Sequence, residues 1–319
     1  MEQVIFFAPR FFEKMWGGTK LTEQYPYSYK VNQEPLGEIW GFADHVNGVS
    51  VVRGGKYDGM SLHELWLTQS SLFGFYTSPE SHFPFQLRLV DAKRKLSVQV
   101  HPDDVFAHEF AGDNGKHEAW YVLDAETGSK IIYGHSAVDA QQFLDMVNDE
   151  RWKDLLCEIP VRQGDFIYVP AGMLHAIGAG NLVLEVAQNS DTTYRFYDYE
   201  RLDTSGTKRE LHMEQAKRVT TVPAKYPVMN KRTEYYCDAV LDTFMESEFF
   251  TVQKLSVGGD AVVAKANAYL ACFVVSGSGT LQGSAIGAGD FLLLTAATKQ
   301  IEASGNFELV MVYKQEVAG

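Results

Sequence analysis

GDFIYVPAGMLHAIGAGNLVLEVA, residues 164–187, is the stretch on which the fold turns. It reads as strand, turn, strand. β-Branched and aromatic residues run from Phe166 to Val169, Pro170 and Gly172 break the run, and a second apolar run follows Asn181. Proline ends the first ladder and Gly172 permits a tight turn, so His175 opens a return strand. The pattern recurs as GDFLLLTAATKQIEASGNFELVMV from Gly289, aligning without gaps at an offset of 125 residues. Gly164-Asp165-Phe166 falls on Gly289-Asp290-Phe291, and Gly180-Asn181 falls on Gly305-Asn306. A unit that occurs twice predicts two related domains. The middle differs: Pro170, Gly172 and His175 in the first copy face Thr295, Ala297 and Gln300 in the second. If His175 is a metal ligand, the second copy has lost it and is structural.

Outward from this repeat, most of the chain reads as short strands bounded by Gly, Asp, Asn or Pro. FQLRLVDA, KLSVQV, AWYVLDA, KIIYG, FTVQKLSV, YLACFVVSG and FELVMVYK are examples. Helical patterns are few: SLHELWLTQ at 61–69, a brief DDVFAHEF after Pro102, and DAQQFLDMVNDERWKDLLCEI, which reads as two helices in succession. The expected fold is mainly β, a pair of jelly rolls with a few short helices. From Val219 to Thr233 the chain carries prolines and bases without periodicity. This linker predicts a first domain over residues 1–225 and a second over 226–319.

The composition, 319 residues with 45% hydrophobic, supplies a core for two moderate domains. A net charge of −13 argues against a nucleic-acid partner, which would call for a basic face. No apolar run reaches the length of a membrane span, and the start MEQVIFFAPRFF lacks the features of a signal peptide. Cys157, Cys237 and Cys272 are odd in number and widely spaced, which predicts buried thiols in a reducing cytoplasm.

The candidate chemistry gathers around LSVQVHPDD, residues 96–104. In a strand, Gln99 and His101 share one face while Val98 and Val100 pack on the other. Gly164, Pro170, Gly172 and His175 follow the spacing G-x5-P-x-G-x2-H, which resembles the second motif of the cupin superfamily of small β-barrels. Within such a barrel Gln99, His101, Glu118 and His175 make a mixed nitrogen and oxygen site suited to Zn²⁺.

Further stretches make the resemblance more specific. FEKMWGG around Trp16, PLGEIWG around Glu38, LSVQVHPDD, Lys116 to Trp120, and HAIGAGNLVLEVAQNSDTTYR from His175 to Arg195 resemble the short bacterial type I mannose-6-phosphate isomerases. The resemblance spans nearly the whole chain. It implies a zinc aldose–ketose isomerase acting on a phosphosugar, with one Zn²⁺ per chain on Gln99, His101, Glu118 and His175. It also implies catalytic roles for Lys116, Glu185 and Arg195, and retains the family's Ser190-Asp191 pair. Two positions depart from the family: Arg88 stands where lysine is usual, and N-G-K-H-E replaces N-H-K-P-E, so His117 is expected to point away from the site.

Isomerisation moves a proton between C1 and C2 through an enediol, which calls for a base and for fixed positive charge. Glu185 is the candidate base, with Arg195 and Lys116 as charge stabilisers. Arg88 and Arg201 are candidate phosphate partners, because guanidinium matches phosphate oxygens in a bidentate fork. Trp16 and Glu38 complete the expected substrate site, and His45 follows Glu38 closely enough to be a further candidate. Two other readings stand beside this one: an Fe(II)-dependent cupin dioxygenase and a non-enzymatic sugar-binding bicupin.

Overall fold

The strand runs assemble into three large sheets in a computed structural model that describes residues 2–74, 82–203 and 206–315. A six-stranded sheet orders Phe166–Val169, Glu118–Ala125, Asn181–Gln188, Phe85–Ala92, Leu36–Phe42 and Arg10–Gly18. Facing it, a five-stranded sheet orders Leu156–Pro160, Lys130–His135, His175–Ile177, Val98–Val100 and Tyr194–Tyr197. Both are antiparallel throughout. The expected helices form at Leu62–Thr68, Asp104–Phe110, Ala140–Asn148 and Trp152–Leu155. The first carries a capping box, in which the Ser61 hydroxyl accepts from the Glu64 N–H and the Glu64 carboxylate accepts from the Ser61 N–H.

Alternation along the six-stranded sheet divides its two faces. Leu182, Leu184 and Val186 join Phe85, Leu87, Leu89, Ala119 and Tyr121 in a large core shared with the C-terminal half through Phe244, Phe250, Phe273 and Phe291. Val183, Val90, Trp120 and Val122 point the other way and meet Ile131 and Ile177 of the facing sheet. Glu118, Arg88 and Glu185 lie on that inner face because each is separated from these residues by an even number of positions.

The C-terminal strands close into a ten-stranded sheet around Leu255, Leu270, Cys272, Leu292, Leu309 and Met311. Here the gapless repeat slips by one residue. Gln300 opens the strand Gln300–Tyr313 exposed, and it is Ile301 that turns inward where the first copy turns His175. A one-residue slip exchanges the two faces of a strand. The second interior is therefore filled by apolar side chains at the point where the first holds imidazole.

The division expected at residue 225 falls in a stretch, 220–231, without regular elements. Hydrogen bonding crosses it at the start of the chain. Strand Val4–Ala8 pairs antiparallel with Phe291–Leu294, burying Ile5 and Phe7 in the shared core. The chain's first strand thus belongs to the C-terminal sheet. Of the cysteines, all free, only Cys272 is buried; Cys237 is exposed, contrary to expectation. No helix among the described residues is long and apolar enough to cross a membrane.

One glycine fixes how closely the halves approach. Gly41 is the extra residue of a bulge, with Trp40 opposite Arg88 and Phe42 opposite Leu87. The bulge lets Trp40 face the inner side while Phe42, two residues on, packs in the shared core. A β-carbon on Gly41 would lie 1.9 Å from a ring carbon of Phe291. Gly41→Ala is therefore expected to destabilise the protein by roughly 3 kcal/mol, at the upper end for overpacking. A fall in the thermal midpoint on the order of 5 °C would register it, and an unchanged midpoint would contradict this view of the interface.

Candidate active site and metal centre

Gln99 sits in the strand next to the edge of the five-stranded sheet, opposite His175 of the central strand on one side and Arg195 of the edge strand on the other. Val98 and Val100 face outward, beneath Phe143, Met146 and Phe196. His101 follows at the strand's end, where Pro102 turns the chain away. Glu118 begins the strand that enters from the facing sheet. Between the sheets, one ligand atom each from His101, Glu118 and His175 lies within 4.8 Å of the others. The His101 and His175 Nε2 atoms are each 3.3 Å from a different Glu118 oxygen. Gln99 brings its amide to 3.3 Å from His175 Nε2.

Both rings are held from behind. The Nδ1 of His101 lies 2.9 Å from the Thr192 carbonyl, and that of His175 lies 2.8 Å from the Met173 carbonyl. A carbonyl only accepts, so each Nδ1 carries the proton and each Nε2 presents its lone pair inward. All three residues are almost wholly buried, yet His101 Nε2 and both Glu118 oxygens lack an aligned hydrogen-bond partner. Buried polar atoms are rarely left so, and a cation among them satisfies all at once. This donor set fits zinc.

Electrostatics prepare the same state. Burial, followed by the nearby Lys116 ammonium, pushes His101 down to about 4, which keeps the ring neutral. Burial lowers His175 as well. For Glu118, burial alone would raise the carboxyl, but Lys116 and the two imidazoles outweigh it and hold the group well below the usual carboxylate range. Lys116 Nζ stands 3.0 Å from Glu118 and 3.4 Å from Glu185, bridging the candidate metal ligands to the candidate base.

A cavity of about 320 Å³ opens onto this cluster, lined by Trp16, Glu38, Arg88, Gln99, Lys116, Glu185 and Arg195 among others. The candidate catalytic and substrate residues are thus brought together, apart from Arg201 and the further candidate His45. Arg201 lies outside the lining: its guanidinium pairs with Asp198 and the Lys95 carbonyl, and it stacks 5.2 Å over Tyr199. Its expected contact with phosphate is replaced by these local partners. Arg209 lines the cavity instead, held by Asp198 at 2.7 Å. Lys14, 3.3 Å from Glu38, lines it too. Neither had a sequence signal beyond its charge.

Arg88 is present but committed. Its guanidinium stands 2.7 Å from Glu185 and 3.4 Å from Asp191 and stacks 4.8 Å over Trp40. Glu38 accepts from the Trp40 indole N–H at 2.8 Å. Arg195 donates from Nη1 to the Glu210 carbonyl at 2.6 Å, leaving its buried Nε without a partner. Burial, then the charge of Arg209, lowers the Arg195 pKa. His117 points outward as expected, 2.6 Å from the Tyr168 hydroxyl and stacked 4.0 Å from Phe249. His45 stays outside the cavity lining, 3.6 Å from Asp113.

Known proteins share this arrangement of the chain. Residues 5–128 match the family model for the phosphomannose isomerase type I catalytic domain, and residues 241–314 match that for the mannose-6-phosphate isomerase cupin domain. The mannose-6-phosphate isomerase of Streptococcus mutans is 39% identical over 99% of this chain and 100% of its own. The crystal structure of the Bacillus subtilis mannose 6-phosphate isomerase superposes with a TM-score of 0.93 at 39% identity, covering 98% of this chain and 100% of that one. A mannose 6-phosphate isomerase solved with zinc and yttrium shares the fold, with a TM-score of 0.74 at 17% identity over 99% and 100% of the two chains. These relatives favour the isomerase over the dioxygenase and the non-enzymatic readings. With kinship running along almost the whole of both chains, the protein belongs to the type I mannose-6-phosphate isomerase family.

Proposed function

We propose that this chain interconverts D-mannose 6-phosphate and D-fructose 6-phosphate with one zinc ion per chain, held by Gln99, His101, Glu118 and His175. The observation that carries this reading is the group of buried ligand atoms of His101 and Glu118 without an aligned hydrogen bond, beside a charged cavity that Gln99 and Lys116 line. Zinc, when bound, supplies a Lewis acid that draws negative charge onto the sugar oxygens. The remaining work falls to the protein. Glu185, flanked by Arg88 and Lys116, takes the C2 proton of the aldose and returns it to C1. Arg88, held between two carboxylates and Trp40, positions Glu185 rather than holding phosphate. Lys116 and Arg195 stabilise the enediolate charge, and Lys116 is almost wholly buried, where charge acts strongly. Arg209 and Lys14, on the cavity wall, are our candidates for the phosphate.

The free cysteines suit a reducing cytoplasm, where a small phosphosugar would be the partner. Metal analysis of the purified protein, together with a coupled assay on mannose 6-phosphate, tests the proposal. The expected result is about one zinc per chain, turnover lost on chelation, and recovery with Zn²⁺. Full turnover in rigorously metal-free protein, or an iron requirement with oxygen consumption, would overturn it.

A further inference from the structure

Away from the cavity, Asp44, His63 and His82 bring three potential ligand atoms within 4.8 Å of one another. They come from separate parts of the chain: the short strand Asp44–His45, the helix Leu62–Thr68, and the segment leading into strand Phe85–Ala92. The Asp44 carboxylate is only 2% exposed. Its ion partners among the described residues are the two imidazoles, with no lysine or arginine beside it. His63 Nδ1 lies 3.0 Å from Oδ1, His82 Nδ1 lies 3.3 Å from the same atom, and the rings stack at 4.8 Å. The Phe83 N–H donates to Oδ2 at 2.8 Å.

Among the described residues the buried Asp44 carboxylate has no lysine or arginine beside it, and a buried charge without a fixed counter-charge is costly. A divalent cation among the three supplies the missing charge. The spacing suits it: ligands about 2.0–2.1 Å from a tetrahedral zinc lie roughly 3.3–3.4 Å from one another. The histidine side chains are 34% and 55% exposed, so an ion can reach the site and keep water at an open position. Two imidazoles and one carboxylate favour zinc, nickel or copper over magnesium or calcium.

We propose that Asp44, His63 and His82 form a second metal site, distinct from the set between the sheets, for a divalent transition-metal ion such as Zn²⁺. Its role is structural. The ion ties the helix, the short strand and the approach to Phe85–Ala92 to a single point. The Asp44 carbonyl accepts from the Asn189 amide at 2.7 Å, so the same point also anchors the segment that leads to Asp191 on the cavity wall.

The test is zinc titration of the gel-filtered holoenzyme against a His63→Ala/His82→Ala variant, by calorimetry and metal content, with MgCl₂ as the control. The wild type should bind one more equivalent of zinc than the variant, more weakly than its resident ion. Added ZnCl₂ should raise the thermal midpoint of the wild type alone. His82→Ala, at the exposed position, should weaken the second equivalent without disturbing the fold, should the double variant fold poorly. Equal zinc uptake by wild type and variants would overturn the proposal, leaving the cluster a pair of hydrogen bonds to Asp44. The comparison reads this site alone, so it stands whether or not the ligands between the sheets take zinc.

Discussion

Alanine at His101 or at His175 is expected to remove metal and activity together. Each substitution deletes one inward-facing Nε2 whose ring is fixed by a carbonyl behind it. What remains, the Gln99 amide, the Glu118 carboxylate and one imidazole, makes a poorer zinc site. Loss of the Lewis acid removes several kcal/mol of transition-state stabilisation, on the order of 10³-fold in kcat or more. The fold should survive, because Lys116 still pairs with Glu118 at 3.0 Å and keeps that carboxylate compensated. Metal content, circular dichroism and the coupled assay on the same preparation check all three statements. A variant that keeps its zinc yet loses turnover would move the histidine from ligand to another role. One that keeps both would place the metal elsewhere.

Arg195→Ala should lower kcat by roughly 10²–10³ with little change in KM or bound zinc, the scale for losing one preorganised donor. The guanidinium is held at one end by the Glu210 carbonyl, and its buried Nε has no hydrogen-bond partner among the described residues. The cation is therefore fixed before substrate arrives and need not reorganise as charge develops. Arg209→Ala should do the opposite, raising KM for the phosphorylated sugar while sparing kcat. Arg201→Ala should leave both nearly unchanged, since Arg201 stands outside the cavity. Steady-state kinetics on the three variants distinguish these roles. A raised KM with unchanged kcat at Arg195 would make it the phosphate clamp instead.

Much of this was legible because strands announce themselves by alternation and turns by Gly and Pro. FQLRLVDA and NLVLEVAQ became strands Phe85–Ala92 and Asn181–Gln188 without a residue's change. Period two places Gln99 and His101 on one face, whereas His175 and Glu118 entered the candidate set from the cupin-like turn and the next strand. What stayed hidden has physical causes. Strands Arg10–Gly18 and Leu36–Phe42 are broken by register shifts, so alternation fails just where Trp40 and Phe42 part company. The slip that puts Ile301 in place of His175 changes no residue count across the repeat, and no alignment of letters could expose it. Arg209 enters the cavity from a loop without periodicity, and its nearness to Arg195 is a property of the folded chain alone.

The first strand has a bearing on how the chain is made. Residues 4–8 leave the ribosome long before their partners at 291–294. At about 5–20 residues per second, roughly 15–60 s separate the two. Throughout that interval Ile5 and Phe7 have only the short strand Val51–Val52 to pair beside, and the apolar face shared by Leu182, Leu184 and Phe85 has no cover from Phe273 or Phe291. The nascent protein therefore waits with an uncovered strand and an open hydrophobic flank, and emergence of residues 291–294, rather than of the candidate ligands, sets the moment at which the shared core can close.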